Sequence, residues 1–225
     1  MKKMILILKL VCMFCLNLHG QTAEEYLDRG ISKADFEDYR GAIADFNRAI
    51  NLNPNFAEAY SVRGHSKSNL EDYRGAIADY TKAIELNPDD AEAYNFRGIS
   101  KDKLRDNSDA IKIINLIKNH YFKTDKLKDN SGAIADYTKA IEINPNFVEA
   151  YSNRGVTKNS LGYYSGAIAD FTKAIKLNPN YAMAYNNRGF SKYNLNQKNS
   201  ACLDFSKAGE LGYADAYKAI KKYCK

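Results

Sequence analysis

The chain has 225 residues, of which 45% are hydrophobic and 27% charged, a composition typical of folded globular proteins that excludes a largely disordered chain. The formal net charge is +6 at pH 7, but Lys2, Lys3 and Lys9 supply three of those charges. From residue 21 onward basic and acidic residues are interleaved, so the sequence offers no basic stripe for phosphate groups, and nucleic acid is not expected as a partner.

Residues 1–20 have the pattern of an export leader. Lys2 and Lys3 precede an apolar stretch, Met4 to Leu18, that is short for a membrane-spanning helix. We predict a signal peptide over 1–20, cleaved after Gly20, and therefore an exported protein that is periplasmic or secreted. The alternative is an uncleaved N-terminal anchor, through which alone the chain would contact a membrane.

A 34-residue pattern then repeats five times, with the third copy lengthened, and such a period is typical of stacked repeats. The five units are 23–56, 57–90, 91–147, 148–181 and 182–215. In each unit an aromatic residue, a Gly, an Ala, a second aromatic residue and a second Ala recur at fixed positions, which in the second unit are Tyr60, Gly64, Ala76, Tyr80 and Ala83.

Small and apolar residues recur at helical intervals on two segments of each unit, which predicts two amphipathic helices that face each other. An Asn-Pro pair closes each of the first four units, and it ends the second helix because Pro cannot continue a helix and disfavours helical backbone in the preceding residue. One unit cannot bury its apolar face alone, so neighbouring units must stack. The four prolines are Pro54, Pro88, Pro145 and Pro179.

This pattern resembles the tetratricopeptide repeat, which has an aromatic residue, Gly, Ala, an aromatic residue and Pro at these spacings, over about nine-tenths of the chain. The sequence departs from the family in using Tyr where its first aromatic residue is often Trp, in the long third unit, and in Tyr213 where the last Pro would fall. The resemblance implies an all-α fold, a right-handed α-solenoid of antiparallel helix pairs.

A charged pair also recurs, with Arg at the seventh position and Asp at the twenty-third, at equal distances from a turn near the fifteenth. Antiparallel helices place these two side chains level. We therefore predict an Arg–Asp bridge across each regular hairpin, worth about 0.2–1 kcal/mol if exposed and more if partly buried. The pairs are Arg29–Asp45, Arg63–Asp79, Arg154–Asp170 and Arg188–Asp204.

The third unit is 23 residues longer than the others because of a partial duplication, in which 102–111 recurs as 125–134. Isoleucines at helical spacing in the first copy predict an extra helix from about 107 to 121. Either this helix pairs with the helix of Arg97, or it is extruded and Arg97 pairs with Asp136. The insertion is either simply tolerated or forms an additional contact surface.

Residues 216–225 are amphipathic with a basic outer face, which predicts the capping helix that a terminal repeat needs. After the leader, Cys202 and Cys224 are the only cysteines, and they lie on either side of a turn at Gly212. Antiparallel helices joined there would bring the two thiols level, and an exported chain meets an oxidising compartment. We predict a disulfide, with two buried free thiols as the alternative.

The sequence shows no catalytic or metal-binding constellation. His65 and His120 are the only histidines after the leader, and neither has Cys or His companions at metal-ligand spacing. There is no nucleophile elbow and no Gly-rich phosphate loop. We therefore expect no metal, no cofactor and no enzymatic activity.

The resemblance implies a scaffold for protein–protein interaction that receives a peptide or a partner helix in a concave groove lined by the first helix of each pair. Some family members grip a terminal carboxylate with Lys and Asn at the fifth and ninth positions. These positions here hold Leu27 and Ile31, Ser61 and His65, and Asn95 and Ile99, so that clamp is not carried over. The alternative is a structural subunit of an envelope assembly that uses the convex face or the cap. The family's groove positions are the second, fifth, ninth and twelfth of each unit. Transferring them to this sequence selects residues that include Glu58, Ser61, His65, Glu92, Asn95, Ile99, Ser152, Val156, Asn186, Phe190 and Tyr193.

Overall fold

The computed structural model describes the backbone of residues 22–116 and 126–224 and the side chains of 22–107 and 132–224. Within these ranges the chain forms eleven α-helices and no strand. They are α1 Ala23–Asp35, α2 Tyr39–Leu52, α3 Ala57–Asn69, α4 Tyr73–Leu86, α5 Ala91–Leu116, α6 Lys126–Ile143, α7 Val148–Ser160, α8 Tyr164–Leu177, α9 Ala182–Asn194, α10 Lys198–Glu210 and α11 Ala214–Tyr223. The predicted leader lies outside the described residues, and no helix among those described is both long and apolar enough to cross a membrane.

The first ten helices form five antiparallel hairpins, and each first helix begins at the first residue of a predicted unit. The second helix of one hairpin packs against the first helix of the next, which produces a continuous stack. First helices of neighbouring hairpins also contact one another. The chain is therefore an α-solenoid of helix pairs, and its inner wall consists of α1, α3, α5, α7 and α9.

Tight turns join the helices of the regular hairpins. The residue at the fifteenth position adopts a positive φ in these turns, 61° at Glu71 and 81° at Gly162, where Gly meets no steric penalty. In the second hairpin the next residue, Asp72, caps α4, because its carboxylate accepts a hydrogen bond of 3.0 Å from the N–H of Gly75. The turn near position fifteen is thus built from local backbone geometry and a helix cap.

The core repeats with the hairpins. A buried ring at the twenty-fourth position of each unit faces the Gly at the eighth position. In the first, second, fourth and fifth hairpins this ring clusters with alanines of its own helix and of the helix that follows. At Gly155 an added Cβ would lie 2.8 Å from the Phe171 ring, so only Gly allows this close approach. The five rings are Phe46, Tyr80, Tyr137, Phe171 and Phe205.

The third hairpin differs from the expectation. α5 continues without interruption from Ala91 to Leu116, with 26 residues where other first helices have 13. The predicted separate helix beginning near 107 is therefore wrong over 107–116, and the rest of its predicted range lies outside the described residues. The inserted segment has the apolar spacing of a helix, which extends α5 as readily as it begins a new helix.

The C-terminal helix α11 packs on α10 and begins at Ala214, two residues before the predicted cap. A disulfide joins Cys202 of α10 to Cys224, which follows α11. Beside it, Tyr223 packs against Phe190, at 5.9 Å between ring centroids, and against Tyr193, at 4.6 Å. The bond and the rings together hold the cap on the last hairpin.

Candidate functional site

An Arg–Asp pair crosses each of the five hairpins. In the second, the Nη2 and Nε atoms of Arg63 donate hydrogen bonds of 2.6 and 2.9 Å to the two carboxylate oxygens of Asp79. The aspartates are buried, and such bidentate contacts are among the stronger polar interactions in proteins. The same two-point contact joins Arg29 to Asp45, Arg97 to Asp136, Arg154 to Asp170 and Arg188 to Asp204.

Of the two alternatives for the third unit, the structure therefore has Arg97 paired with Asp136. Nη2 and Nε of Arg97 lie 2.7 and 3.0 Å from the carboxylate oxygens, as in the regular hairpins. The inserted residues separate the partners along the chain without separating them in space.

A second cation, which the sequence reasoning missed, reaches each of these aspartates. Nζ of Lys67 lies 2.8 Å from Asp79. In the first hairpin the hydrogen bond from Arg29, with help from Lys33, lowers the pKa of Asp45 to about 2. The available signal was the recurrence of Lys four residues after the Arg, one helical turn along the same face. In the other three hairpins the lysines that reach the aspartate are Lys101, Lys158 and Lys192.

Four of these arginines also contact the preceding hairpin. Nη1 of Arg97 donates a hydrogen bond of 3.2 Å to the Thr81 hydroxyl on α4, and Arg154 donates one of 3.0 Å to Thr138 on α6. Each such guanidinium therefore joins two hairpins, and we call the whole set of Arg, Lys and Asp side chains the charge ladder. Since the ladder is internal to the stack and a guanidinium stays protonated, its role is structural. The remaining two contacts are Arg63 to Asn47 and Arg188 to Thr172.

Most of the predicted groove residues lie on the surface of the inner wall, in two groups. Four residues are exposed, namely Glu58, His65, Glu92 and Val156. Four residues are partly exposed, namely Ser61, Ile99, Phe190 and Tyr193. The last two pack against the cap, so the wall becomes aromatic where the array ends.

Three predicted groove residues, Asn95, Ser152 and Asn186, are buried with exposed fractions of 0–4%. Their prediction as surface residues of the groove is wrong. Asn95, at the fifth position of its unit, faces the neighbouring first helix, and its side-chain oxygen accepts a hydrogen bond of 3.1 Å from Asn153 on α7. Asn95, Ser152 and Asn186 are therefore buried within the stack, whereas Ser61 at the same position of the second unit is partly exposed.

A cavity of about 340 Å³ opens between α5 and α7, beside Ile99 and Val156. Asp102 also lines it, and its Oδ2 accepts hydrogen bonds from the hydroxyls of Tyr137 at 2.9 Å and Thr157 at 2.6 Å. Burial raises the pKa of the Asp102 carboxyl. We refer to this space as the Asp102 cavity.

The sequence reasoning did not single out Asp102, although it occupies the twelfth position, which was expected to face the groove. A signal was present in the repeat register. No other unit has an acid at this position, where the residues are Ala34, Ser68, Asn159 and Tyr193. In the described parts of the chain, no group of three or more His, Cys, Asp or Glu side chains is arranged to hold a metal ion.

Comparisons with known proteins agree with this architecture. A tetratricopeptide repeat model matches residues 57–90, and a second, described as TPR repeat, matches 126–162 and 158–196. None of the curated protein sequences matches the chain.

Several solved structures resemble the whole array. A MamA protein is 23% identical with a TM-score of 0.68, covering 87% of this chain and 94% of its own. YrrB, described as a TPR protein with an unusual peptide-binding site, is 19% identical with a TM-score of 0.67, covering 93% and 97%. TTC0263, a thermophilic TPR protein of Thermus thermophilus, is 17% identical with a TM-score of 0.63, covering 87% and 99%. At these identities the likeness concerns the fold.

Arrays of this kind bind other proteins through the surface that the stacked helices present, and they generally carry no catalytic machinery. The repeat pattern, the matching family models and the α-solenoid of helix pairs all point the same way. The chain therefore belongs to the tetratricopeptide repeat family and is a protein–protein interaction scaffold.

Proposed function

We propose that the scaffold binds a peptide or a helix of a partner protein in the groove along its inner wall. The observation that carries this proposal is that successive first helices expose side chains to the same surface, including Glu58, His65 and Val156, beside a cavity of about 340 Å³. Apolar walls with a few placed polar groups are typical of binding sites. The charge ladder supports the proposal, because a wall held rigid before binding loses little conformational entropy when a ligand arrives.

The test is capture of a partner from a cell-envelope fraction by the full-length chain. A groove variant carries Glu58→Lys, Glu92→Lys and Val156→Lys, all at exposed positions of the inner wall. Its matched control carries the same three kinds of change on second helices, Glu85→Lys, Glu142→Lys and Leu203→Lys, which are also exposed.

We expect the groove variant to lose a specific partner that both the unchanged chain and the control variant retain. Circular dichroism should show equal helical content in all three proteins. If only the control variant loses the partner, recognition lies on the outer face and the groove proposal is wrong.

A structural subunit of an envelope assembly, which would use the convex face or the cap, is the second candidate. It is favoured by two strongly exposed apolar side chains near the C-terminal end, Leu203 on α10 and Tyr217 on α11, which are 71% and 61% exposed. The control variant above changes Leu203, so loss of the partner in that variant alone supports this candidate.

We also propose that the protein works outside the cytoplasm, in the periplasm or as a secreted protein. The leader pattern of residues 1–20 and the Cys202–Cys224 disulfide support this, because structural disulfides persist in oxidising compartments and are rare in the cytosol. Mass spectrometry of the fractionated protein tests the proposal. A chain that begins at Gln21 in the soluble envelope fraction supports it, an intact chain in the membrane fraction supports the anchor, and an intact cytosolic chain contradicts both.

A further inference from the structure

The Asp102 cavity is the most specific feature of the inner wall. We propose that it receives an arginine or lysine side chain of the bound partner, so that one basic residue anchors the peptide between the third and fourth hairpins. This inference rests on the proposed groove function and adds the chemistry of one contact.

The shape of the cavity suits a long cationic side chain. Its volume of about 340 Å³ is at the lower end of the range for ligand pockets, about 300–1,000 Å³, so it fits one side chain and not a helix. Ile99 and Val156 give it apolar lining, and Asp102, whose side chain is 18% exposed, lines it with a carboxylate. Arg and Lys have this same division into an apolar stem and a charged head.

The hydrogen bonds of Asp102 leave room for another donor. Its oxygens accept one bond each from Tyr137, Thr157 and Arg105, the last at 3.0 Å, whereas a carboxylate offers about four acceptor positions. The raised pKa of Asp102 shows that these partners do not fully offset its burial. A further cation would stabilise the ionised carboxylate.

Arg105, the cation that already contacts Asp102, does not prevent a second cation from binding there. Arg105 also donates to Asp106, from Nε at 3.1 Å and from Nη2 at 2.6 Å, so it keeps an anionic partner if a ligand approaches Asp102. An anionic ligand would be repelled by the Asp102 carboxylate, and the Arg105 beside it already binds the carboxylates of Asp102 and Asp106. Lys103 also lines the cavity and is exposed, so it could attract an anion; a peptide pool with a central glutamate tests this alternative.

The preference for a basic side chain should be confined to the groove between the third and fourth hairpins. Tyr80 occupies the same core position as Tyr137 in the preceding hairpin, but Ser68 stands where the third unit has Asp102. The buried hydroxyl of Tyr80 has no hydrogen-bond partner among the described residues, whereas the hydroxyl of Tyr137 donates a hydrogen bond to Asp102. The inner wall therefore offers a partly buried carboxylate between α5 and α7 and no carboxylate at the twelfth position of the other units.

The experiment uses three pools of short peptides with blocked ends, random except for one central residue, which is arginine, citrulline or glutamate. Citrulline keeps the shape of arginine without its charge. Retention of each pool on the immobilised full-length chain is measured, and the variants are Asp102→Asn and a matched Asp35→Asn, at an exposed position near the end of α1. We expect the arginine pool to be retained about tenfold more than the citrulline pool, as one added charge-assisted contact predicts.

Asp102→Asn should reduce this ratio to about one, and Asp35→Asn should leave it unchanged. In case Asp102→Asn lowers helical content, Val156→Arg provides a second route, since it places a cation beside the cavity from an exposed position. That variant should also lose the preference for arginine.

Equal retention of the arginine and citrulline pools overturns the cavity inference and leaves groove binding intact. Preferred retention of the glutamate pool overturns it in favour of an anion at Lys103 and Arg105. Retention of none of the pools counts against the groove proposal itself.

Discussion

The second and third hairpins solve the same packing problem with different connections. Arg63 and Asp79 are 16 residues apart in the sequence, whereas Arg97 and Asp136 are 39 apart. Their closest contacts are nevertheless 2.6 and 2.7 Å, and a Lys reaches the Asp in both hairpins. The alignment of two helices in a hairpin is therefore set by the charge ladder and the core and does not depend on the length of the connection.

The third hairpin also has features that the regular one lacks. Its first helix is twice as long as α3, and its core tyrosine, Tyr137, donates a hydrogen bond to Asp102. An insertion at the turn has thus left the ladder unchanged while the hairpin that carries it gained a polar contact on the inner wall. Matched substitutions in the second and third hairpins measure how far the two are equivalent in stability.

The largest effect is expected from Asp136→Ala, because the change leaves Arg97 and Lys101 without their shared buried carboxylate. Breaking a buried pair on one side costs about 3–5 kcal/mol of the free energy of unfolding. Urea titration followed by circular dichroism measures this loss. Asp79→Ala is the matched change in the second hairpin and should cost the same, and a much smaller loss for Asp136→Ala would show that the long connection loosens the third hairpin.

Loss of the cap disulfide should come next. The bond between Cys202 and Cys224 closes a loop with a sequence separation of 22, and its removal is expected to cost about 3 kcal/mol in the chain-entropy model. The double variant Cys202→Ser, Cys224→Ser should unfold at lower urea, with hydrogen exchange rising in α10 and α11 and unchanged in α3 and α4. Reductant should destabilise the unchanged chain and leave the double variant unaffected, and equal sensitivity of both would contradict the assignment.

A smaller difference should separate the two core tyrosines. Tyr137→Phe removes a hydrogen bond to the carboxylate of Asp102 and should cost about 1.5–3 kcal/mol. Tyr80→Phe removes a buried hydroxyl that has no partner among the described residues, so stability should stay the same or rise by about 1 kcal/mol. Urea titration of both variants measures the two changes in stability. Equal losses would mean that the hydrogen bond from Tyr137 to Asp102 contributes nothing to stability.

The smallest effect concerns pH at the first hairpin, where the Arg29 side chain is 40% exposed, against 15% for Arg63. The pKa of Asp45 is lowered to about 2 in the folded chain from an ordinary 3.8, so the unfolded chain binds more protons between these values. The stabilisation is present above pH about 4 and is lost as the pH falls towards about 2. As the pH is lowered from about 4 towards about 2, the urea midpoint should fall less for Asp45→Asn than for the unchanged chain.

Much of the fold could be predicted because it depends on spacing. A 34-residue period and paired charges at equal distances from a turn predict hairpins in a known register, and the structure places Arg63 against Asp79 as that register requires. The continuity of α5 could not be predicted, because the duplicated segment has a helical pattern whether it starts a new helix or extends the old one.

The candidate site was harder to predict for a geometric reason. Residues on an inner wall face either the groove or the neighbouring helix, and the two directions differ by a fraction of a helical turn. Transfer of position numbers therefore selected His65, which is exposed, together with Ser152, which is buried. Asp102 was missed because its importance depends on hydroxyl groups of Tyr137 and Thr157, which lie 35 and 55 residues away in the sequence.

The long connection of the third hairpin also has a consequence for the order of folding. Closing a chain segment of 39 residues in place of 16 costs about 0.8 kcal/mol more in entropy. Repeat arrays can nucleate at any repeat and grow by adding neighbours, and the lower closure entropy of the short hairpins favours nucleation there. The short hairpins on each side should therefore form first, and the two halves should meet at α5 and α6, so that the centre of the array is the last part to become ordered.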